Sequence, residues 1–393
     1  MKIKYRYQLT RILLLLLLCS GIAFGLFNYK QKTQIQASGN KIKIGVIAAL
    51  SGSNKLMGLK GLKGIEIIQQ LNPLLNNGDL IELIIIDTQD NEEKSIKALK
   101  IMSEVHKVSA ILLLSNSNTV LTVAEIADQY QIPILAVNAS HPNITKMNSW
   151  VNQFNFDDEF QASAAALFIR DELFLEKVAI FTHSDNVHFS FLATEFARQY
   201  SEVGGVITDT IDLKNNEDEI DTVLQSIKIK EPELLYLQVP TEELIEIVIA
   251  LKKLDWKPKI MLSDGLFAGV LSQDKFPVDL FDDILATETF HNEMQLTKFG
   301  KHLKTRLKSI NIAKNQLVTH TLLGIEAYAF LLQAMNRCND LKNNVCINNK
   351  IRSTRKFEGI MGYISIDHMG KAHRSLVINN IKAGKMNFIV KVY

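Results

Sequence analysis

From Lys41 onward, short apolar runs rich in β-branched residues alternate with amphipathic stretches of helix length. This is the pattern of a parallel sheet covered by helices. Ile42 to Leu50 reads as a first strand, Ser51-Gly52-Ser53 turns the chain, and Gly58 to Leu71 reads as a helix stopped by Pro73. Leu80 to Asp87 is a second strand, followed by a helix over Glu92 to His106. Ala110 to Leu114 is a third strand, followed by Ser115-Asn116-Ser117-Asn118 and a helix through Tyr130, and Ile132 to Val137 is a fourth, followed by Asn138-Ala139-Ser140. The pattern then restarts. Strands are expected at Lys177 to Thr182, Val206 to Ile211, Leu234 to Gln238 and Lys259 to Leu262, with helices at Phe189 to Tyr200, Glu217 to Ile227 and Thr241 to Leu254. No Pro- or Gly-rich linker separates the two series.

Small polar clusters follow the strands, at Ser51-Gly52-Ser53, Ser115 to Asn118, Asn138-Ala139-Ser140 and Ser263-Asp264-Gly265. In open α/β sheets ligands bind at the carboxyl ends of the strands, where loop N–H groups and helix N-termini converge. Ser and Asn are also ordinary helix caps, so any one loop has a purely structural reading. Their succession favours a site. Two doubly wound lobes facing each other leave a cleft between their strand ends.

The chain ahead of Lys41 is of another kind. Basic residues at Lys2, Lys4, Arg6 and Arg11 precede an apolar run from Ile12 to Phe27 that contains six consecutive leucines, Leu13 to Leu18. A basic segment followed by an apolar run is the layout of an export signal, and this run is short for a comfortable membrane span. Gly21 with Ala23, or Ala23 with Gly25, offers small residues for cleavage, and retention as an uncleaved anchor over residues 12–27 stays open. Lipidation at Cys19 is disfavoured by Leu18 before it. Either outcome puts residues 41–393 outside the cytoplasm, in a periplasmic or equivalent space.

Composition sharpens this reading. At 393 residues the chain is long for one core. The formal net charge of +2 comes from residues 1–40, which hold six basic residues and no acid; the remainder has 38 basic against 42 acidic residues, a net charge of −4. No basic patch is implied, so nucleic acid is not an expected partner. Cys338 and Cys346 flank a short polar segment. In an oxidising compartment these two are expected to pair as a disulfide, worth about 2–3 kcal/mol for so small a loop. The rival, a metal site, lacks neighbouring histidines.

Several segments together resemble the type I periplasmic binding proteins of branched-chain amino acid ABC transporters. Ile42-Lys43-Ile44-Gly45, Leu50-Ser51-Gly52 and the spaced Gly58, Gly61 and Gly64 are similar to that family's first strand, ligand loop and first helix. Ser117, Ile132-Pro133 and Asn138-Ala139-Ser140-His141-Pro142 continue the likeness. Phe357-Glu358-Gly359-Ile360-Met361-Gly362, with Ile366-Asp367 and Gly370, resembles its C-terminal segment. Ala49 departs from the family's usual Pro, and the region of His188-Phe189 replaces its Tyr-Gly. The resemblance implies three crossings between lobes, one lobe made of residues 41–156 and 288–357 and the other of 157–287 and 358–393.

The resemblance further implies an amino acid or similar small carboxylate as ligand, closed upon by a hinge and delivered to an ABC permease in the membrane. Carried over by position, Ser117 and Ser140 would meet the carboxylate, with Ala139 supplying backbone and Ser51 lining the mouth. Asp264 would take the ammonium with Asn138 in support, against its plainer reading as a turn residue. His188 stands where the family often stacks an aromatic on the ligand, and its sequence context is equally that of a surface residue. The same fold also serves membrane-anchored sensors, the competing reading. Catalysis is not expected: there is no Gly-x-Ser-x-Gly elbow, His-Glu-x-x-His, P-loop lysine or dinucleotide fingerprint. Neither a cofactor nor a metal is expected.

Overall fold

The computed structural model describes residues 36–216, 219–265, 282–310, 312, 317–382 and 385–393. The export segment, with Cys19 and residues 12–27, lies outside them. Among the described residues no helix is long and apolar enough to cross a membrane.

Five parallel strands, β1 (Lys41–Ala48), β2 (Leu80–Asp87), β3 (Ala110–Leu114), β4 (Ile134–Ala136) and β5 (Val151–Gln153), form the first sheet in the order β2-β1-β3-β4-β5. All five residues of β3 are buried, because both faces of the sheet are covered. Ala110, Leu112 and Leu114 point into one core, and Ile111 and Leu113 into the other. The fourth strand is shorter than its apolar run, and Pro133, which has no N–H to give a ladder, precedes it. The expected helix over Glu92 to His106 is α-helical as α2 (Glu92–Ile101) and widens to a π-turn over Met102–His106.

The second sheet repeats this order. Strands β6 (Lys177–Thr182), β7 (Val206–Asp212), β8 (Leu234–Leu237), β9 (Lys259–Leu262) and β10 (Ile284–Glu288) run parallel as β7-β6-β8-β9-β10. Two antiparallel strands, β14 (Leu376–Lys382) and β15 (Lys385–Val392), extend it beyond β10. Each sheet therefore has a switch point, at β1/β3 and at β6/β8, where the connecting helices change sides and a crevice opens.

The chain passes between the two sheets three times. It leaves the first at Phe154–Asp157, before α5 (Asp158–Leu167). It returns after β10, and α10 (Thr319–Met335) packs against α1 (Lys55–Leu71) of the first sheet. Helix α10 is apolar on nearly all sides because it is buried on nearly all sides. Glycines set its distance from α1: a β-carbon on Gly324 would lie 2.2 Å from the Gly61 carbonyl oxygen, and one on Gly64 2.0 Å from that of Thr321. From Phe357 the chain stays on the first sheet's core, as a small antiparallel sheet of β11 (Phe357–Glu358), β12 (Tyr363–Ile366) and β13 (Ala372–His373), and joins the second sheet only at Leu376. Cys338 and Cys346 form a disulfide with Cα atoms 6.1 Å apart, tying the end of α10 to α11 (Asn344–Arg352).

Candidate functional site

A cleft of about 620 Å³ opens between the carboxyl ends of the two sheets. Its walls come from loops at both switch points: Ser53 to Met57 and Asn116-Ser117 from the first sheet, Asn186 to Phe189 and Pro240 to Glu242 from the second. The first turn of α10 adds Thr319 and His320. Among these are the starts of α1, α3 (Ser117–Tyr130), α6 (Val187–Glu202), α8 (Thr241–Lys253) and α10. Convergent helix N-termini bias a cleft toward anionic groups.

On the first-sheet wall, Asn116 caps α3 by accepting from the Thr119 N–H at 3.0 Å. Ser117, buried in the first turn, accepts from the N–H groups of Ser140 and His141 at 3.3 and 3.4 Å, which leaves its own hydroxyl proton to donate. Ala139 lines the cleft beside it. Asn138 donates to His320 Nδ1 at 3.1 Å, and its buried Oδ1 has no partner among the described residues. Burial pushes His320 down to about 4, so its ring is neutral and its Nδ1 accepts. Ser51 is not part of the wall; its hydroxyl donates to Asp87 Oδ2 at 2.8 Å, and Ser53 and Asn54 line the cleft instead.

The second-sheet wall is charged. Asn186 caps α6 by accepting from the N–H groups of His188 and Phe189. His188 lines the cleft; its Nδ1 lies 3.1 Å from the buried Asp158 carboxylate and 3.3 Å from Ser140 Oγ across the cleft. Burial works against its charge, but the charge and hydrogen bond of Asp158, with Asp264 beyond, outweigh it and lift His188 to about 9. The ring is therefore an imidazolium at neutral pH.

Asp264 follows β9 and takes a hydrogen bond from Asn155 Nδ2 at 3.3 Å. Burial raises its pKa, against the pull of His188. Glu288, at the end of β10, is pushed up to about 8 by burial and by Asp264, and Thr319 Oγ1 donates to it at 3.1 Å. Asn155 also accepts from Thr289 Oγ1 at 3.2 Å, so the first and second crossings meet behind Asp264.

Of the residues expected from sequence, Ser117, Asn138, Ala139, Ser140, His188 and Asp264 are brought together on this one cleft, and Ser51 is left outside. Sequence reasoning missed Asp158, Glu242, Thr319 and His320. Asp157-Asp158-Glu159 carries a helix-start signature, with Asp157 accepting from the Phe160 N–H at 2.9 Å, and could have been read as one. Among the described residues no cluster of His, Cys, Asp and Glu could hold a metal ion.

A fold of two like sheets with a polar cleft at facing switch points defines a binding protein of type I. The family described as periplasmic binding protein matches residues 41–385, and the chain belongs to it. Among solved structures it is similar to the leucine-binding protein LivK of Thermotoga maritima, with a TM-score of 0.79 and 24% identity over 89% of this chain and 98% of that one. It is similar also to the branched-chain amino acid transporter substrate-binding protein LivJ of Streptococcus pneumoniae in complex with isoleucine, with a TM-score of 0.76 and 18% identity over 90% and 100% of the two chains. A solute-binding protein of an ABC transporter from R. palustris, in complex with 4-hydroxybenzoate, gives 0.77 and 18% over 90% and 97%. No curated protein matches the chain in sequence. Family and fold are those of substrate-binding proteins, and membership implies an extracytoplasmic location.

Proposed function

We propose that the protein captures an amino acid or similar small carboxylate outside the cytoplasm by hinge closure and hands it to an ABC transporter in the membrane. On packing, residues 41–156 with 288–373 would close as one lobe against 157–287 with 376–393, a division that moves the last crossing from Phe357 to about Arg374. The observation that carries the reading is the first turn of α3, where the Ser117 hydroxyl has a proton to donate into a cleft entered by several helix N-termini. A carboxylate leaving water needs such charge-assisted hydrogen bonds to offset its lost hydration. Ser140 and the His188 imidazolium would complete its shell. An ammonium would find Asp264 and the unpartnered Asn138 Oδ1. The ligands named for the relatives, leucine, isoleucine and 4-hydroxybenzoate, share a carboxylate.

A thermal-shift screen of amino acids and small aromatic acids tests this, since a ligand bound only by the folded state raises Tm. At least one carboxylate is expected to bind. S117A should weaken it about 10- to 100-fold, the loss of one hydrogen bond to a charged group. D264A should abolish binding of ammonium-bearing ligands and leave simple acids unaffected. Failure of the whole panel, or an affinity indifferent to S117A, would overturn the reading.

A further inference from the structure

All three crossings between the sheets meet at one guanidinium. Arg374 belongs to the third; its Cζ lies 5.5 Å from the ring centre of Phe154, on the first, and 5.2 Å from that of Phe290, on the second. Its Nη2 donates to Glu326 Oε2 at 2.9 Å, and both side chains are more than nine-tenths buried, at 6% and 1% exposure. Nε and Nη1 of the same guanidinium have no hydrogen-bond partner among the described residues.

Arg374 lines a small cavity, about 10 Å³, walled also by Thr289, Ser375, Glu326 and Gly362. That is room for one water-sized guest. Lys391 stands at its edge: Nζ donates to the carbonyl of Met361 at 2.9 Å and lies 3.2 Å from the point where a side chain on Gly362 would begin, with Ser375 Oγ 3.5 Å from the same point. Arg374 thus has one carboxylate partner, Glu326, while a second cation, Lys391, stands beside Gly362 with a carbonyl as its hydrogen-bond partner. A guest must supply acceptors to two N–H groups, and a negative one also cancels the surplus positive charge, which water does not.

We propose that this cavity binds a single monovalent anion of halide size, held by Arg374 Nε and Nη1 with Ser375 and Lys391 in reach. The anion sits where the three crossings converge and stabilises the junction between lobes. It is separate from the ligand cleft, and it is tested without any ligand.

The test uses the full chain at constant ionic strength with sodium gluconate exchanged for sodium chloride. Chloride should raise Tm saturably, by about 2–4 °C. Because Arg374 variants are at risk of not folding, the decisive variant is Gly362→Ala, which narrows the space beside the Lys391 ammonium and Ser375 without removing a charge. It should fold and lose the chloride response. Crystals grown in sodium bromide should show anomalous density within hydrogen-bond distance of Arg374 Nε or Nη1. A wild-type Tm indifferent to chloride, a response retained by Gly362→Ala, or bromine density elsewhere with plain water beside Arg374 would each overturn the proposal.

Discussion

The Asp158 carboxylate lies 3.1 Å from His188 Nδ1, so a fully buried carboxylate stands behind a side chain that lines the cleft. Partnership with Asp158 holds the folded-state pKa of His188 at about 9, above its unfolded value near 6.5. A group raised in this way contributes stability that is fully present below about pH 6.5 and is lost as pH rises through about 9, on the order of 3 kcal/mol across that window. Urea unfolding of the wild type from pH 6.5 to 9.5 should show this decline. H188Q should be less stable at pH 6.5 and should have a flatter profile above it. A variant profile as steep as the wild type's would refute the ion-pair account.

Glu288 adds to the same downward slope over a lower pH window. Burial and Asp264 lift it to about 8, so between about pH 4.5 and 8 the folded state keeps a proton that the unfolded chain gives up. Stability therefore falls as pH rises through that window. Glu288→Gln is neutral at every pH and keeps the hydrogen bond from Thr319. It should stabilise the protein by on the order of 2–4 kcal/mol near pH 8, with the gain vanishing toward pH 4.5. Denaturant midpoints of the two proteins at pH 5 and pH 8 measure it.

The strands that could be read to the residue, Leu80–Asp87, Ala110–Leu114, Lys177–Thr182 and Lys259–Leu262, are apolar runs ended by a polar or turn residue. Their burial and their boundaries are written in the same few residues. Strand β5 could not be found that way. Asn152 and Gln153 are fully buried but polar, their amide N–H groups donating to Asn348 Oδ1 and to the Ala139 carbonyl, and those partners are invisible until the chain is folded. Helix α10 is apolar all round, so it has no 3.6-residue stripe to mark it, and with it Thr319 and His320 were lost from the site. Ser117, Ser140 and Asp264 stood out because each follows a strand closely, whereas His188, six residues past its strand, was named only from the resemblance. Ser51 follows one too, but Asp87 at the end of the neighbouring strand takes its hydroxyl.

Helices α1 and α10 meet through glycines, and the contact leaves no room for a methyl group. Gly324→Ala would put a β-carbon 2.2 Å from the Gly61 carbonyl oxygen, a backbone atom that cannot rotate away. The two helices must separate, and the core they share around Ile65, Ile68 and Ile325 must loosen. Overpacking of this kind costs about 1–3 kcal/mol or more. Gly204→Ala is the control for open space: its β-carbon would meet nothing within 4 Å, so only the strain of its positive φ of 83° should register. Chemical denaturation of both variants should show the larger loss in Gly324→Ala.

Asn118, one residue beyond Ser117, reaches across the cleft from the first-sheet wall to the second. Its Nδ2 donates to the Asp185 carbonyl and its Oδ1 accepts from the Val187 N–H, both at 3.3 Å. On the proposed hinge closure these two hydrogen bonds would exist only while the cleft walls stand this close, so they would favour the closed form over the open one and leave the folding on either side alone. Each is exposed at one edge, and together they should be worth about 1–2 kcal/mol. Asn118→Ala should therefore leave the denaturant midpoint near the wild-type value and shift the free protein toward openness, read as a larger radius of gyration in X-ray scattering. For a ligand identified by thermal shift, the dissociation rate should rise about 5- to 30-fold, the ratio that 1–2 kcal/mol supports, with little change in the association rate. A variant that binds and scatters like the wild type would show that closure does not depend on this latch.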